Sequence, residues 1–371
     1  MTCLIYLSPL PWSSFAQRPH KFVEWFHART GGQVLWIDPY PTRLPAPGDF
    51  RRVKAAIAAP QAAKPTPAWL TVLQPRALPI EPLPGSAWLN GLLWQPVFLA
   101  IERFIASGKC LLAIGKPSRM ALAILRRHPQ LPSLFDVMDD FPAFYRGYSR
   151  HAMERSERAV AALAGQVTVS SSLLARRFAD CGARLHLALN ACAFETLPAP
   201  DALPPRPEQP VLGYVGTIAQ WFDWELVTAL ARANPDLPVR LIGPLFGAVP
   251  AQLPANIALL PACEHRQAIR HMQSFSVGLI PFKRTTLTDS VDPIKYYEYR
   301  ALGLPVLSTR FGEMAMREGE PGVFLAEPHG DLTAQVALAL AHRDDIAQIA
   351  QFRIGHSWDA RFDAAHILQQ L

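Results

Sequence analysis

Short apolar runs with strand character alternate with helical stretches along almost the whole chain, and this alternation restricts the fold more than any other feature. CLIYLS (3–8) is followed by the helical KFVEWFHART and then by QVLWID (33–38), WLTVLQ (69–74), CLLAIG (110–115), SLFDVMD (133–139), QVTVS (166–170) and LHLALN (185–190). Amphipathic stretches such as SRMALAILRRH and RHAMERSERAVAALAG lie between them. A strand covered on both faces reads as a continuous apolar run, so the pattern predicts a parallel sheet with helices on both sides.

The pattern breaks at FETLPAPDALPPRPEQP (194–210), where six prolines in seventeen residues read as a linker. A second series then begins with VLGYVG (211–216) and continues through VRLIGP (239–244), NIALLP (256–261), VGLIPF (277–282), PVLST (305–309) and VFLAEP (323–328), again with helices between. A chain of 371 residues exceeds one ordinary core. The expectation is therefore α/β, with two Rossmann-like parallel-sheet domains: 1–195, a linker at 196–210, and 211–355, with 356–371 returning to the first domain. Ligands of open parallel sheets sit outside the carboxyl ends of the strands, so two such sheets facing one another would make a cleft at the hinge.

Composition narrows the partners. The formal net charge of +6 suits an anionic partner without naming one, since nucleic acid, phosphorylated metabolites and acidic membranes all fit. Arginine outnumbers lysine 29 to 7, so each lysine is a scarce event. Cys3, Cys110, Cys181, Cys192 and Cys263 are odd in number, widely spaced and without CxxC. That indicates neither a disulfide framework nor a zinc site and favours a reducing compartment. The N-terminus has no basic region and only a short apolar stretch, so it reads as a first strand and not a signal peptide. No window reaches the roughly 20 apolar residues that span a bilayer. The nearest, SAWLNGLLWQPVFLAIERFIA (86–106), reads either as a core helix or as one that touches a membrane interface.

One segment concentrates chemistry. DPIKYYEYRALGLPVLST (292–309) predicts a short helix with Pro293 in its first turn, Asp292 or Ser290 as cap, and Gly303 just past its end. Helical spacing puts Lys295 and Glu298 on one face near the positive end of the dipole. Such a terminus can hold phosphate, a lysine adds counter-charge, and a carboxylate one turn on can accept hydrogen bonds from a vicinal diol. The other reading of the same spacing is a plain surface ion pair.

This segment resembles the nucleotide-sugar site of two-domain glycosyltransferases with the GT-B fold, in which proline, lysine, glutamate, glycine and Pro-Val recur in this order. Other segments agree in sequence order: GYVGTIAQWFDWELV (213–227) with the first strand and loop of their donor domain, and VRLIGP with its second strand. VTVSSSLLARRF (167–178) and LNACAF (189–194) are similar to the last part of the acceptor domain, with Asn190-Ala191 where Asn-Gly is usual. SSFAQRPHKFVEWF (13–26) resembles the first loop and helix of bacterial members that build surface polysaccharides, and HSWDARFDAAHILQQL (356–371) their closing helices.

The resemblance implies that Lys295 neutralises the donor diphosphate and Glu298 holds the ribose hydroxyls. It implies that Gly216 and Thr217 let the backbone approach the phosphates, and that main-chain groups from Pro261 to Cys263 meet the base. Two departures qualify the chemistry. Retaining members carry a glutamate eight positions before the one matching Glu298, and that position is Ser290. An Arg/Lys pair is also absent from GTIAQWFD, leaving Lys295, Lys283 and Arg284 as the cations. This arrangement is closer to the xanthan-type glucuronosyltransferases, which invert with an aspartate base in the first domain.

Asp139, in the Asp139-Asp140 pair that ends SLFDVMDD, matches that aspartate, and His20 is the second candidate base. Gln17, Arg18 and Asp140 would lie on the acceptor side, while Asp223 reads as a helix cap. No Asp-x-Asp, HExxH or GxxxxGK[ST] occurs, so no metal or other cofactor is expected. The expected enzyme is a cytoplasmic glycosyltransferase, peripheral on the inner membrane, moving a sugar from a nucleotide donor such as UDP-sugar to a saccharide or polyprenyl-linked acceptor. Nucleic acid is not an expected partner. A sugar-nucleotide 2-epimerase of the same fold and a catalytically inactive nucleotide-binding subunit stand as alternatives.

Overall fold

The computed structural model describes residues 2–45 and 65–371. They form two compact units, Met1–Ala188 with Phe362–Leu371, and Leu189–Arg361. In the first unit the elements run β1 (Thr2–Leu7), α1 (Arg18–Thr30), β2 (Gln33–Ile37), β3 (Leu70–Leu73), α2 (Ser86–Leu93), α3 (Gln95–Ala106) and β4 (Lys109–Ile114). They continue as α4 (Arg119–Arg127), β5 (Ser133–Val137), α5 (Gly147–Leu163), β6 (Gln166–Val169), α6 (Ser172–Arg177) and β7 (Leu185–Leu187). The seven strands are parallel in the order β3-β2-β1-β4-β5-β6-β7. The central strands are buried along nearly their whole length, which is why they read as unbroken apolar runs.

The second unit runs β8 (Leu212–Val215), α7 (Trp224–Ala233), β9 (Val239–Ile242), β10 (Ile257–Leu260), α8 (His265–Gln273), β11 (Val277–Ile280) and α9 (Ile294–Ala301). Then come β12 (Val306–Ser308), α10 (Gly312–Met316), β13 (Val323–Leu325), α11 (Leu332–Ala341), α12 (Ile346–Gly355) and α13 (Trp358–Ala364). Its six strands, also parallel, follow the order β10-β9-β8-β11-β12-β13. In each sheet the first strand of its series lies inside, where the strand order reverses.

Three details differ from the sequence reading. The division between units falls at 188/189 and not at 195, and the proline-rich 194–210 stretch belongs to the second unit. Cys192 and Leu197 sit in that unit's core, with Phe194 and Leu203 packed against it. At the other end, Phe362–Leu371 returns to the first unit. There the Phe362 ring lies 5.2 Å from that of Phe22, and Asp363 accepts from Trp25 Nε1 at 2.8 Å. Finally, Cys3 and Cys110, 107 positions apart, face each other across the β1–β4 register and form a disulfide. This corrects the reading of unconnected cysteines, because parallel pairing creates a proximity that spacing along the chain does not reveal.

Candidate functional site

In the second unit, α9 is anchored at the carboxyl end of the sheet by its own aromatic face. Tyr299 is fully buried, and its hydroxyl accepts from the Val215 N–H at 3.1 Å. Its ring lies over Gly278, where a Cβ would come within 2.4 Å of it, so only glycine in β11 lets the helix seat this closely. The first turn of α9 is thereby held beside the exit of β8. Gly216, at φ +155°, has the Lys295 Cε 3.5 Å from where a Cβ would stand. Lys295 Nζ donates to Glu298 Oε2 at 2.6 Å, with Glu298 largely buried (8% exposed) and Lys295 half-buried. Lys295, Glu298, Gly216 and the adjoining Thr217 are therefore gathered at one sheet edge, from segments almost 80 residues apart.

The start of α9 is not built as the sequence predicts. Pro293 precedes the first helical residue, with extended backbone and no side-chain cap. Asp292 caps nothing. Its carboxylate accepts from the Asn190 N–H, the Tyr297 hydroxyl and Arg317 Nη2, each at 2.7 Å. Asn190 Nδ2 also donates to the Asp292 carbonyl at 2.7 Å. Arg317 further donates to the Tyr297 hydroxyl at 2.8 Å and lies over the Tyr296 ring. This buried cluster fixes the loop entering α9, and nothing local in the sequence identifies Arg317 as its cation.

The remaining donor-side candidates spread along the same edge. Ser290 is buried next to the Asp292 loop. Lys283 and Arg284 are exposed, with the Lys283 N–H bonded to the Trp221 carbonyl at 2.7 Å. Pro261 and Cys263 follow β10 at its carboxyl end; Pro261 is exposed and Cys263 half-buried. Asp223 caps α7, accepting from the Leu226 N–H at 3.0 Å.

In the first unit, β5 ends at Val137 and delivers Asp139 and Asp140 to its carboxyl edge. The Asp139 carbonyl accepts from the Phe141 N–H at 3.0 Å, while its carboxylate makes no hydrogen bond among the described residues. Burial raises its pKa to about 7, against the lowering by Arg18 and with further raising by Asp140 and Asp136. Asp140 is held by Arg177, which also binds Glu157. Glu157 is fully buried, and burial pushes its pKa to about 8 although Arg177 opposes the shift.

His20 and Arg18 are structural, which corrects their sequence-based roles. The His20 ring is buried between Trp12 and Trp36, its Nδ1 accepting from the Gln17 N–H at 3.3 Å and its Nε2 bonding the Trp12 carbonyl at 3.1 Å. With both nitrogens engaged it has no lone pair for an acceptor proton. Arg18 is equally buried, bonded to Asp136 at 2.7 Å and to the Ala188 carbonyl at 2.7 Å. Asp136 also accepts from Thr168 Oγ1 at 2.8 Å. Gln17 is half-buried as the N-cap residue that precedes α1.

A residue the sequence reading passes over is Lys116. It lines a cavity with Ser8, Asp38, Tyr40, Thr42 and Ser118 at the carboxyl edge of β1, β2 and β4. Burial lowers its pKa to about 8, with Glu81 opposing. The signal was available in the scarcity of lysine and in its place just after an apolar strand.

No protein-family profile matches the chain. It is 26% identical over 177 residues to TuaH of Bacillus subtilis (strain 168), named for glycosyl transfer in teichuronic acid biosynthesis. The match covers 44% of this chain and 44% of that protein, less than half the length of either. Among solved structures, Anabaena Alr3699/HepE in complex with UDP-glucose superposes over 100% of both chains, with TM-score 0.61 and 14% identity. AviGT4, a glycosyltransferase of avilamycin A biosynthesis, covers 100% of this chain and 96% of its own, with TM-score 0.60 and 13% identity. An Escherichia coli structure described as trehalose-6-phosphate bound with UDP-2-fluoro glucose covers 99% and 98%, with TM-score 0.59 and 11% identity. The likenesses extend over both units, and the fold is GT-B.

Proposed function

We propose that this GT-B protein is a glycosyltransferase that moves a sugar from a nucleoside diphosphate, a UDP-sugar in the first instance, to a lipid-linked or oligosaccharide acceptor of surface-polysaccharide synthesis. The observation that carries the reading is Lys295 on the first turn of α9, paired with Glu298 and lying against Gly216. An incoming diphosphate would take Lys295 as its counter-charge, and Glu298, released from that pair, would accept from the ribose diol. Lys283 and Arg284 supply further positive charge, Ser290 and Thr217 hydroxyls, and the 261–263 backbone the contacts to the base. UDP as the nucleotide is supported by the UDP-glucose bound to HepE, and the polysaccharide setting by the name of TuaH.

In this reading no metal is required, because the lysine and the helix terminus carry the charge compensation. Transfer inverts. Asp139 accepts the proton of the acceptor hydroxyl as its oxygen attacks C1 from the face opposite the leaving UDP, and the proton remains on Asp139 as the C1–O bond to the diphosphate breaks. The enzyme is proposed to work as a peripheral protein of the inner membrane, on its cytoplasmic side, where the Cys3–Cys110 pair would be held as thiols.

Titration with UDP, GDP and ADP, followed by release of nucleotide from a panel of nucleotide sugars, tests this. Lys295→Ala removes a charge-assisted contact worth about 1.5–3 kcal/mol and should weaken UDP binding by about 10- to 150-fold. Asp139→Asn should bind UDP normally and lose about 10²–10⁴ in turnover. Full activity of Asp139→Asn would assign the base elsewhere. Donor conversion with no acceptor present would favour the epimerase, and UDP binding with no conversion at all an inactive subunit.

A further inference from the structure

Helix α2 is built inside out. Ser86 and Asn90, one turn apart, are its buried residues. Both are satisfied by backbone: Ser86 Oγ donates to the Glu81 carbonyl at 2.8 Å, and Asn90 Oδ1 accepts from the Leu78 N–H at 2.7 Å while its Nδ2 donates to the Leu78 carbonyl. The apolar residues face the other way. Trp88 is 73% exposed and Leu92 64%, with Leu89 and Leu93 also exposed. A surface helix normally turns its apolar stripe to the core, so folding alone gives no reason for this orientation. Helix α3 returns to the usual pattern, burying Val97, Phe98 and Ile101, yet it extends the apolar strip with Leu99. The break between the two helices follows from Pro96, which lacks an N–H and crowds the carbonyl four residues earlier.

The charge around this strip is mostly positive. From 65 to 132 the acidic residues are Glu81 and Glu102, against seven Lys and Arg. Glu81 is buried, and Glu102 lies 3.2 Å from His128. Arg103 on α3 is exposed, as are Arg126 and Arg127 on α4, which packs against α2. The Arg127 guanidinium lies 3.8 Å above the ring of Phe98, a buried residue of α3, which holds this cation against that helix.

We propose that α2, with the outer side of α3, is a membrane-docking surface that lies in the headgroup layer of an anionic bilayer, Trp88 and Leu92 inserted and the arginines on the phosphates. Eight residues extend only about 12 Å, far short of a span, so the helix lies in the interface. An exposed tryptophan with leucines beside it is what that interface favours, and the basic flank selects an anionic lipid surface over a neutral one. This deepens the peripheral attachment proposed above by naming the surface and the lipid class, and it stands apart from the donor site.

The test is co-sedimentation of the full chain with phosphatidylglycerol-containing vesicles and with phosphatidylcholine vesicles, at low and high salt. UDP affinity and melting temperature are measured on the same samples. The protein should bind the anionic vesicles, less so at high salt, and bind phosphatidylcholine poorly. Trp88→Asp with Leu92→Glu should lower partitioning by about tenfold or more while UDP affinity and melting stay unchanged. Wild type left in the supernatant with both vesicles, or a double variant that partitions as wild type, overturns the proposal. A concentration-dependent dimer that the double variant abolishes, without vesicle binding, would give this face to a second copy and also overturn it. Because UDP binding is read separately, loss of the docking surface and failure of the donor-site reading are distinguishable.

Discussion

Asp139 and Glu157 are both carried towards neutrality by removal from water, with different consequences. Asp139 must be ionised to accept a proton. With its pKa at about 7, kcat/KM should fall about tenfold for each pH unit below that value and level off above it. Asp139→Asn should lack that limb, which a pH–rate profile will read. Glu157 has no part in the proposed transfer and bears on stability. Its folded pKa of about 8 lies above the ordinary 4.5, so the unfolded chain releases this proton first as pH rises. The contribution is complete below about pH 4.5 and is lost as pH rises through 8. Glu157→Gln cannot ionise, so its melting temperature should decline less between pH 5 and 8 than that of wild type. An unchanged slope would mean that Arg177 keeps Glu157 ionised in the fold.

At the scale of an element, α9 depends on residues that do not belong to it. Its entry loop is held through Asp292 by Asn190 and Arg317, and its body through Tyr299 by Val215. Asp292 and Arg317 are both buried. Arg317→Met would leave a carboxylate in the interior without its cation, at a cost of about 3–5 kcal/mol, measurable by denaturant unfolding. Since the same loop carries Ser290 and leads into Lys295, the variant should also bind UDP more weakly under conditions where it remains folded. Undiminished stability would show that Asn190 and Tyr297 suffice to hold Asp292. The helix itself was legible in the sequence, through Pro293, the Lys295–Glu298 spacing and Gly303. Its anchors were not, because Asn190 and Arg317 reach Asp292 from 102 and 25 residues away.

At the scale of the molecule, each unit has its own hydrophobic core: one built on β1, β4, β5 and β6, the others on the two faces of the β8–β11–β12 sheet. A ligand of the second unit stabilises that unit directly, by about 2.7 kcal/mol at a hundred times its Kd. Hydrogen exchange with and without UDP should therefore show protection concentrated at 213–217 and 292–301. Protection confined to the first unit would remove the donor site from α9.

The fold class was present in the sequence because strands buried on both faces must be continuously apolar, and that requirement acts residue by residue. The Lys295–Glu298 pair was present for a similar reason, since helical spacing is a local property. What only tertiary structure decided were the relations carried by long-range pairing. His20 and Arg18 looked like acceptor-side groups, yet the walls of Trp12 and Trp36 and the charge of Asp136 enclose them. The segment 86–106 was open between a core and an interfacial helix. The structure divides it into α2 and α3, and the residues α2 turns inward are Ser86 and Asn90, bonded to the backbone of Glu81 and Leu78. Burial is set by what lies opposite a side chain, and a linear sequence does not say what lies opposite.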